Sequence, residues 1–245
     1  MKKWRVSFLS LVLVGLCLFQ TPVWAQAVSV SWPLTSSAAA NSSAPALVTG
    51  NAEAVSGGTS PTVSVFDYWS GQAQRLNAGF TGWTAGPASM TRYLQFDASP
   101  TPGHQLTVTS VSFNYGGANV NNQIRAEVRY STNNWTTSTV LATAIAYPPL
   151  TMVPFSATIS IPPIPSGGEF SLRILPYAII NSTAGAPTFA AHNNVKINGT
   201  SSPATVPQVR LQITKSTGNT VVPGTYTFNI TCTGPGGPYT GPNPI

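Results

Sequence analysis

The sequence predicts an all-β protein built as an antiparallel β-sandwich, of the jelly-roll or immunoglobulin-like (Ig-like) kind, and three observations support this. Only 7% of the 245 residues are charged, while Gly and Pro number 21 and 22. Long helices need Glu, Lys, Arg, Gln and Leu on their exposed faces, and runs of these residues are scarce here. Short apolar segments with period-two alternation recur between turn residues, which is typical of sandwich strands.

The first 27 residues have the pattern of an export signal. Lys2, Lys3 and Arg5 supply a basic start, and an apolar segment follows at residues 6–19. That segment is shorter than the roughly 20 residues that a membrane-spanning helix needs. We therefore expect residues 1–27 to be a transient signal peptide and the protein to be secreted, either free or held at the cell surface.

Two cleavage sites fit the small-residue rule of signal peptidase. One has Val23 and Ala25 at positions −3 and −1, and the other has Ala25 and Ala27 there. Removal of the signal leaves Cys232 as a single cysteine. No intrachain disulfide can then form, so stability has to come from core packing and the sheet ladders.

The mature chain carries little charge for its length. Three of the eleven basic residues lie in the signal, and the other eight face five acids, so the net charge is about +3. Their scatter along the sequence argues against nucleic-acid binding, and membrane contact is expected only through the signal. Arg125, Glu127 and Arg129 alternate with apolar residues, so we expect them to face solvent. Ser, Thr and Asn should cover most other exposed positions.

Strand signals become regular from residue 62, after a lead-in strand near Val28 and a loop. Turn clusters rich in Gly, Pro and Asn separate them. The apolar parity of strand 106–115 switches between Val108 and Val111, which predicts a β-bulge at Thr109 or Ser110. The predicted strands are 62–68, 92–97, 106–115, 123–131, 139–146, 155–161, 169–176 and 189–198.

The domain organisation follows the composition. Residues 28–199 carry eight or more strand patterns without helical ones between them, which predicts one β-sandwich module. Residues 200–207 are rich in Ser, Pro and Thr and are expected to be a linker. Residues 208–245 hold two strand patterns, too few for an independent domain. This tail either pairs with the module or begins an incomplete Ig-like domain.

The search for catalytic chemistry gives no convincing site. The two histidines, His104 and His192, are read as a turn residue and a residue near a strand start. Asp67 and Asp97 are the carboxylate pair to test for glycoside hydrolysis, but each is expected to end a strand and to cap a turn. Dispersed His, Cys and carboxylates do not suggest a metal site. We expect no enzyme activity, no metal and no cofactor.

Aromatic residues near turns are the most suggestive feature. Aromatic faces stack on the apolar faces of sugar rings, and nearby amides and guanidiniums bond their hydroxyls. Core packing is the alternative for each aromatic residue, since tryptophan is commonly buried in a sandwich. The candidate ligand-binding residues are Tyr68, Trp69, Trp83, Trp135 and Arg75.

Several short motifs resemble the β-sandwich accessory modules that accompany secreted pectate lyases and other polysaccharide-degrading enzymes of Bacteroidetes-type bacteria. The resemblance covers about residues 30–198 and implies a non-catalytic module with a carbohydrate-related role. The motifs include Trp32-Pro33-Leu34-Thr35, Arg92-Tyr93-Leu94-Gln95-Phe96 and Val128-Arg129-Tyr130-Ser131.

The segments 211–215 and 224–233 resemble the first strands of Ig-like or prealbumin-like stalk repeats of bacterial surface proteins. That likeness implies a surface role. We therefore expect a secreted, non-catalytic module that binds polysaccharide or cell-surface glycan. The alternative is a structural or adhesive surface protein that self-associates through its C-terminal strands.

Overall fold

The computed structural model describes residues 24–35, 38–57, 72–77, 85–118, 124–180 and 189–204. Within these ranges every regular element is a β-strand, which confirms the all-β prediction. The predicted strand 62–68, the predicted tail 208–245 and most of the predicted signal lie outside the described residues. In the described part of the chain, no helix is long and apolar enough to cross a membrane.

The described strands lie close to the predicted ones, and the main differences are at their ends. Three short strands, β2 to β4, occupy the region where the sequence predicts a loop. The strands are Gln26–Trp32 (β1), Asn41–Ser42 (β2), Val48–Gly50 (β3), Ala54–Ser56 (β4), Gln74–Asn77 (β5), Tyr93–Pro100 (β6), His104–Ala118 (β7), Ile124–Ser131 (β8), Thr139–Ala146 (β9), Val153–Thr158 (β10), Phe170–Ala178 (β11) and Phe189–Pro203 (β12).

The strands form two six-stranded antiparallel sheets. The first sheet has the order β10-β7-β12-β1-β2, with β5 also paired to β12. The second has the order β3-β6-β11-β8-β9, with β4 paired to β6. The eight longer strands pair in a nested way, β1 with β12, β6 with β11, β7 with β10 and β8 with β9. Successive pairs alternate between the sheets, as in a long hairpin rolled over one core.

Apolar side chains from both sheets meet in this core. Trp32 of the first sheet and Phe96 of the second are fully buried, with ring centroids 5.3 Å apart. The indole Nε1 of Trp32 donates to the carbonyl oxygen of Asn51 at 2.8 Å, which satisfies its polar atom. Each aromatic ring removes about 150–250 Å² from water. Aromatic burial therefore contributes strongly to holding the two sheets together.

The predicted β-bulge is present at Thr109. Val108 pairs with Gly199 and Ser110 pairs with Asn198, so Thr109 has no residue opposite it on β12. The extra residue reverses the alternation of side chains along β7. Val108 and Val111 can therefore both face the core, although they are three positions apart, a spacing that puts residues of a regular strand on opposite faces.

The predicted linker begins four residues too early. Strand β12 continues to Pro203, and Thr200 to Pro203 pair with His104 to Thr107 of β7. Thr200 and Ser202 point to the outer face, while Ser201 between them is buried. A Ser- and Thr-rich strand without an apolar alternation resembles a linker in sequence, which explains the wrong boundary.

The outer face of the first sheet follows the expectation of a Ser, Thr and Asn cover. Its side chains bond across the strands. Asn198 Nδ2 donates to Ser110 Oγ at 3.2 Å, and Asn114 Nδ2 donates to Asn193 Oδ1 at 2.9 Å. The polar side chains thus form short ladders between β12 and β7, which supplement the backbone pairing.

The outer face of the second sheet is different, because charge concentrates there. Strand alternation directs Arg125, Glu127 and Arg129 outward, as predicted. Of the ten charged residues that the structure describes, six lie on this face or at its rim. They are Asp97, Arg125, Glu127, Arg129, Glu169 and Arg173.

Gly199 gives a direct test of the bulge geometry. A Cβ atom there would lie well inside van der Waals contact of the Thr107 carbonyl oxygen, a backbone atom that cannot rotate away. We expect Gly199→Ala to lower the free energy of unfolding by about 1–3 kcal/mol, the usual cost of overpacking. Gly86 is the control, since a Cβ there meets no atom within 4 Å. Urea unfolding of both variants tests this, and equal stabilities would contradict the close approach.

Candidate functional site

The candidate site is the outer face of the second sheet around Arg173. Arg173 on β11 lies directly opposite Gln95 of β6 on one side and Arg129 of β8 on the other. Trp135, from the turn between β8 and β9, packs on the same guanidinium. We call this surface the charged face, and it comprises Tyr93, Gln95, Asp97, Glu127, Arg129, Trp135 and Arg173.

The Arg173 guanidinium is fixed by two aromatic rings. Its Cζ atom lies 3.6 Å from the ring centroid of Tyr93 and 3.9 Å from that of Trp135. Two rings cannot both approach one side of the same planar group so closely, so the guanidinium lies between them. Each contact is a cation–π interaction of about 0.5–2 kcal/mol. The Arg173 side chain is therefore held in one orientation although it is only partly buried.

Gln95 connects Arg173 to Asp97. The Arg173 Nε–H donates to Gln95 Oε1 at 2.8 Å, and Gln95 Nε2 lies 3.0 Å from both carboxylate oxygens of Asp97. These bonds orient the amide, since its oxygen accepts while its nitrogen donates. Burial lowers the pKa of Arg173, and the nearby Tyr93 and Asp97 oppose this shift.

Trp135 occupies a strained turn position. Asn134 and Trp135 have φ values of 52° and 61°, and Thr136 N donates to the Asn133 carbonyl oxygen at 3.2 Å. Positive φ at both central residues is typical of a type I′ turn, where Gly is preferred at the second position. Ser131 Oγ supports the turn by accepting the Trp135 N–H at 3.0 Å. Glycine would adopt this positive φ with less backbone strain than tryptophan does. The presence of a tryptophan here therefore suggests that its ring has a role.

Arg129 and Arg173 form a like-charge pair directly across two strands. Such pairs destabilise a sheet by a few tenths of a kcal/mol or more. Glu127 partly compensates, since its carboxylate accepts from the Arg129 Nε–H, and Arg129 Nη1 also donates to Ser138 Oγ at 3.2 Å. Arg173 has no acidic hydrogen-bond partner among the described residues.

Glu169 adds negative charge at the rim of the charged face, beside Asp97. Its Oε1 accepts from Ser171 Oγ at 3.1 Å, and its Oε2 lies 3.4 Å from Asn51 Nδ2. Burial and, secondly, the charge of Asp97 raise the pKa of Glu169. Asp97 and Glu169 therefore lie together at one end of the face, while Arg129 and Arg173 lie towards its middle, with Glu127 beside Arg129.

A cleft of about 230 Å³ lies further along β11. Tyr177 contributes to its wall and follows Arg173 by four residues, so both side chains leave the same side of the strand. At about 3.3 Å per residue, the two positions are roughly 13 Å apart. The other lining residues include Ser89, Thr91 and Arg92, whose Nε donates to the Gly57 carbonyl oxygen at 3.2 Å.

The structure separates the candidate residues predicted from sequence. Tyr68, Trp69 and Trp83 lie outside the described residues. Arg75 lies on β5 of the first sheet, with its guanidinium 4.6 Å from the Phe189 ring centroid. Of the two candidates that the structure describes, Trp135 belongs to the charged face and Arg75 does not, so these two residues do not form one site.

Sequence reasoning missed Tyr93, Gln95 and Arg173. Tyr93 and Gln95 alternate with the buried Leu94 and Phe96 on β6, and this alternation could have placed them on an outer face. The pairing of β6 with β11, which brings Arg173 beside them, has no signal in the sequence.

The expectation that Asp97 ends a strand is wrong. Asp97 lies within β6, is buried, and bonds to Gln95 rather than capping a turn. Its proposed partner Asp67 lies outside the described residues. His104 begins β7 after the turn at Pro102 and Gly103, with Nδ1 3.2 Å from Thr101 Oγ1.

A second polar cluster is buried between the sheets. His192 is fully buried, and its Nε2 forms a hydrogen bond with the Tyr147 hydroxyl, with the two atoms 2.5 Å apart. Gln74 lies directly opposite His192 on β5, and its Nε2 donates to Glu53 at 2.5 Å. Burial lowers the pKa of His192 to about 3, raises that of Glu53 to about 7, and raises that of Tyr147 well above its usual value. His192 is therefore neutral at ordinary pH and bonds within the core.

Metal ligation has no support in the described residues, where no three His, Cys, Asp or Glu side chains converge. The ligand-like groups that do meet, such as Glu53 and Gln74, bond to each other. The charged face offers an aromatic pair, an oriented guanidinium, an amide and carboxylates. Such an arrangement can hold a polar ligand by stacking and hydrogen bonds.

Comparison with known proteins adds little to this geometry. No protein-family model matches the chain, and no curated protein matches it. Among solved structures, it is similar to the bacteriophage CBA120 tailspike protein 4 enzymatically active domain, with 15% identity and a TM-score of 0.26. The match covers 62% of this chain and 17% of the tailspike chain. A likeness this weak supports no argument about fold or function.

Glu53 makes stability depend on pH in a measurable way. A carboxyl group with a raised pKa in the folded state stabilises the fold below its unfolded pKa of about 4.5, and this contribution is lost as pH rises towards 7. His192 acts in the opposite direction, since its lowered pKa makes stability fall as pH drops from 6.5 towards 3. The two effects oppose each other between pH 4.5 and 6.5.

We therefore expect Glu53→Gln to remove the loss of stability between pH 4.5 and 7. Its free energy of unfolding should rise relative to the wild type across this range, by up to about 3 kcal/mol. Urea titrations of both proteins at four pH values measure this difference in the free energy of unfolding. Titrating groups that both proteins share, such as His192, contribute equally to both values and drop out of the difference. A difference that does not vary with pH would contradict a buried, protonated Glu53.

Proposed function

We propose that the protein is a secreted, non-catalytic module that binds carbohydrate on the charged face. The observation that carries the proposal is the position of Trp135, which lies in a strained turn with its ring packed on the Arg173 guanidinium. Tyr93 and the Gln95 amide contact the same guanidinium. Aromatic edges and faces suit the apolar surfaces of sugars, while amides, carboxylates and guanidiniums suit their hydroxyls. The cleft beside Tyr177 extends this surface, so the ligand would be an oligosaccharide.

The nested strand order supports a finer description of the fold. Numbered one to eight, the longer strands have the orders 6-3-8-1 and 2-7-4-5 in the two sheets. We infer that this is the jelly roll of the two predicted alternatives, since Ig-like domains place neighbouring strands differently. Jelly rolls include lectin domains. The accessory modules that the sequence resembles would fit this role, although no family model supports that membership.

The position of β1 distinguishes the two predicted cleavage sites. Gln26 and Ala27 pair with Ser201 and Thr200 of β12. Cleavage after Ala27 would remove two paired residues, whereas cleavage after Ala25 leaves β1 complete. The first of the two predicted cleavage sites is therefore the one that we propose.

We expect purified secreted protein to begin at Gln26. Intact-mass measurement of the exported chain tests this. A mass that corresponds to a start at Val28, or to retention of residues 1–25, would contradict the proposed cleavage.

The binding proposal predicts that Trp135→Ala weakens oligosaccharide binding by tenfold or more. Loss of the ring removes one stacking surface and releases Arg173 from its fixed orientation. Calorimetry against a panel of pectin, xylan and cellulose fragments measures the change. Ser112→Ala, at an outer position of β7 in the first sheet, is the matched control and should bind like the wild type.

Two outcomes would contradict the proposal. If the wild type binds no member of the panel, the charged face is not a glycan site. If Trp135→Ala and Ser112→Ala bind equally well, the glycan binds elsewhere. The structural or adhesive alternative depends on residues 208–245, which lie outside the described residues, so it stays a prediction.

A further inference from the structure

The Arg173 guanidinium is held in a fixed orientation and has hydrogen-bond donors left over. Its Nε bonds to Gln95, and rings cover both of its faces, which leaves the two Nη groups at its far edge. Neither Nη group has a hydrogen-bond partner among the described residues. A guanidinium edge presents parallel N–H donors whose spacing matches a carboxylate.

A residue on the neighbouring strand β8 also favours an anion beside Arg173. Arg129 lies directly opposite Arg173, and Glu127 neutralises only Arg129. The two guanidiniums therefore lie side by side at a cost to the sheet, and the acid nearest to Arg173, Asp97, reaches it only through the Gln95 amide. A bound anion would remove this cost, whereas a neutral ligand would not.

We infer that the glycan bound on the charged face is acidic and that a carboxylate of a uronic acid residue binds to the Nη groups of Arg173. This inference rests on the proposed function and narrows it to one class of glycan. Asp97 and Glu169 would repel acidic groups at the other end of the face, so sugar hydroxyls would bind there. The separation of charge thus fixes the direction of the chain.

The test compares a tetrasaccharide of galacturonic acid with its carboxyl-reduced, neutral counterpart by calorimetry. The two probes differ only in the carboxylate groups. We expect the wild type to bind the acidic probe at least tenfold more tightly, and added salt to reduce this preference. A sulfated oligosaccharide of the same length is the third probe. It should bind less tightly, because a planar carboxylate can lie in the plane of the guanidinium between the two rings, whereas a tetrahedral sulfate places oxygens above and below that plane.

Two substitutions at Arg173 locate the effect. Arg173→Lys keeps the charge but loses the paired donors, and Arg173→Gln loses both. We expect each to abolish most of the preference for the acidic probe. Lys196→Gln is the control, since it removes the same charge from the first sheet and should keep the preference. Thermal unfolding checks that each variant is folded. If one of the two Arg173 variants does not fold, the other one still tests the inference.

The outcomes separate a failure of the inference about acidic glycans from a failure of the proposed carbohydrate binding. Equal binding of the acidic and neutral probes would overturn the inference and leave glycan binding intact. Tighter binding of the sulfated probe would overturn the choice of carboxylate. An acidic preference that Lys196→Gln removes as strongly as Arg173→Gln would show a net-charge effect and also overturn it. Binding to none of the probes or panel sugars would overturn the proposed function itself.

Discussion

The fold depends on the pairing of β12, the long strand inside the first sheet. It pairs with β1 along seven residues, with β7 along most of its length and with β5 at its start. Its register places Val195 and Ile197 in the core and His192 against Tyr147. A shift by one residue would turn all of these outward. The bulge at Thr109 lets β7 keep this register while its own apolar residues stay inside.

The rolled arrangement gives the two outer faces different characters. In the first sheet, polar uncharged side chains of β7 and β12 bond to one another. The second sheet collects most of the described charge, including two arginines in direct opposition and a tryptophan in a strained turn. Both features lower the stability of the fold locally, and both lie on the charged face. The proposed binding site would explain both costs, since ligand contacts would offset the charge repulsion and use the fixed ring.

The sequence predicts the elements of this structure better than its site. Alternation reveals β6 to β12, and the parity switch near Thr109 reveals the bulge, because burial imposes these patterns locally. The paired end of β12 was missed because its Ser and Thr residues resemble a linker. The site needs long-range information. Tyr93, Arg173 and Trp135 meet only through the pairing of β6, β11 and β8, and no local pattern encodes it.

The most direct test of the account is a nuclear magnetic resonance titration of the wild-type protein with the galacturonate tetrasaccharide. The side-chain N–H signals of Arg173 and Trp135 report on the charged face, while the amide of Asn114 reports on the first sheet and the indole of Trp32 on the core. We predict that the Arg173 and Trp135 signals shift as the ligand saturates and that the other two do not. Shifts confined to Asn114, or an Arg173 signal that never moves, would contradict a carbohydrate site on the charged face.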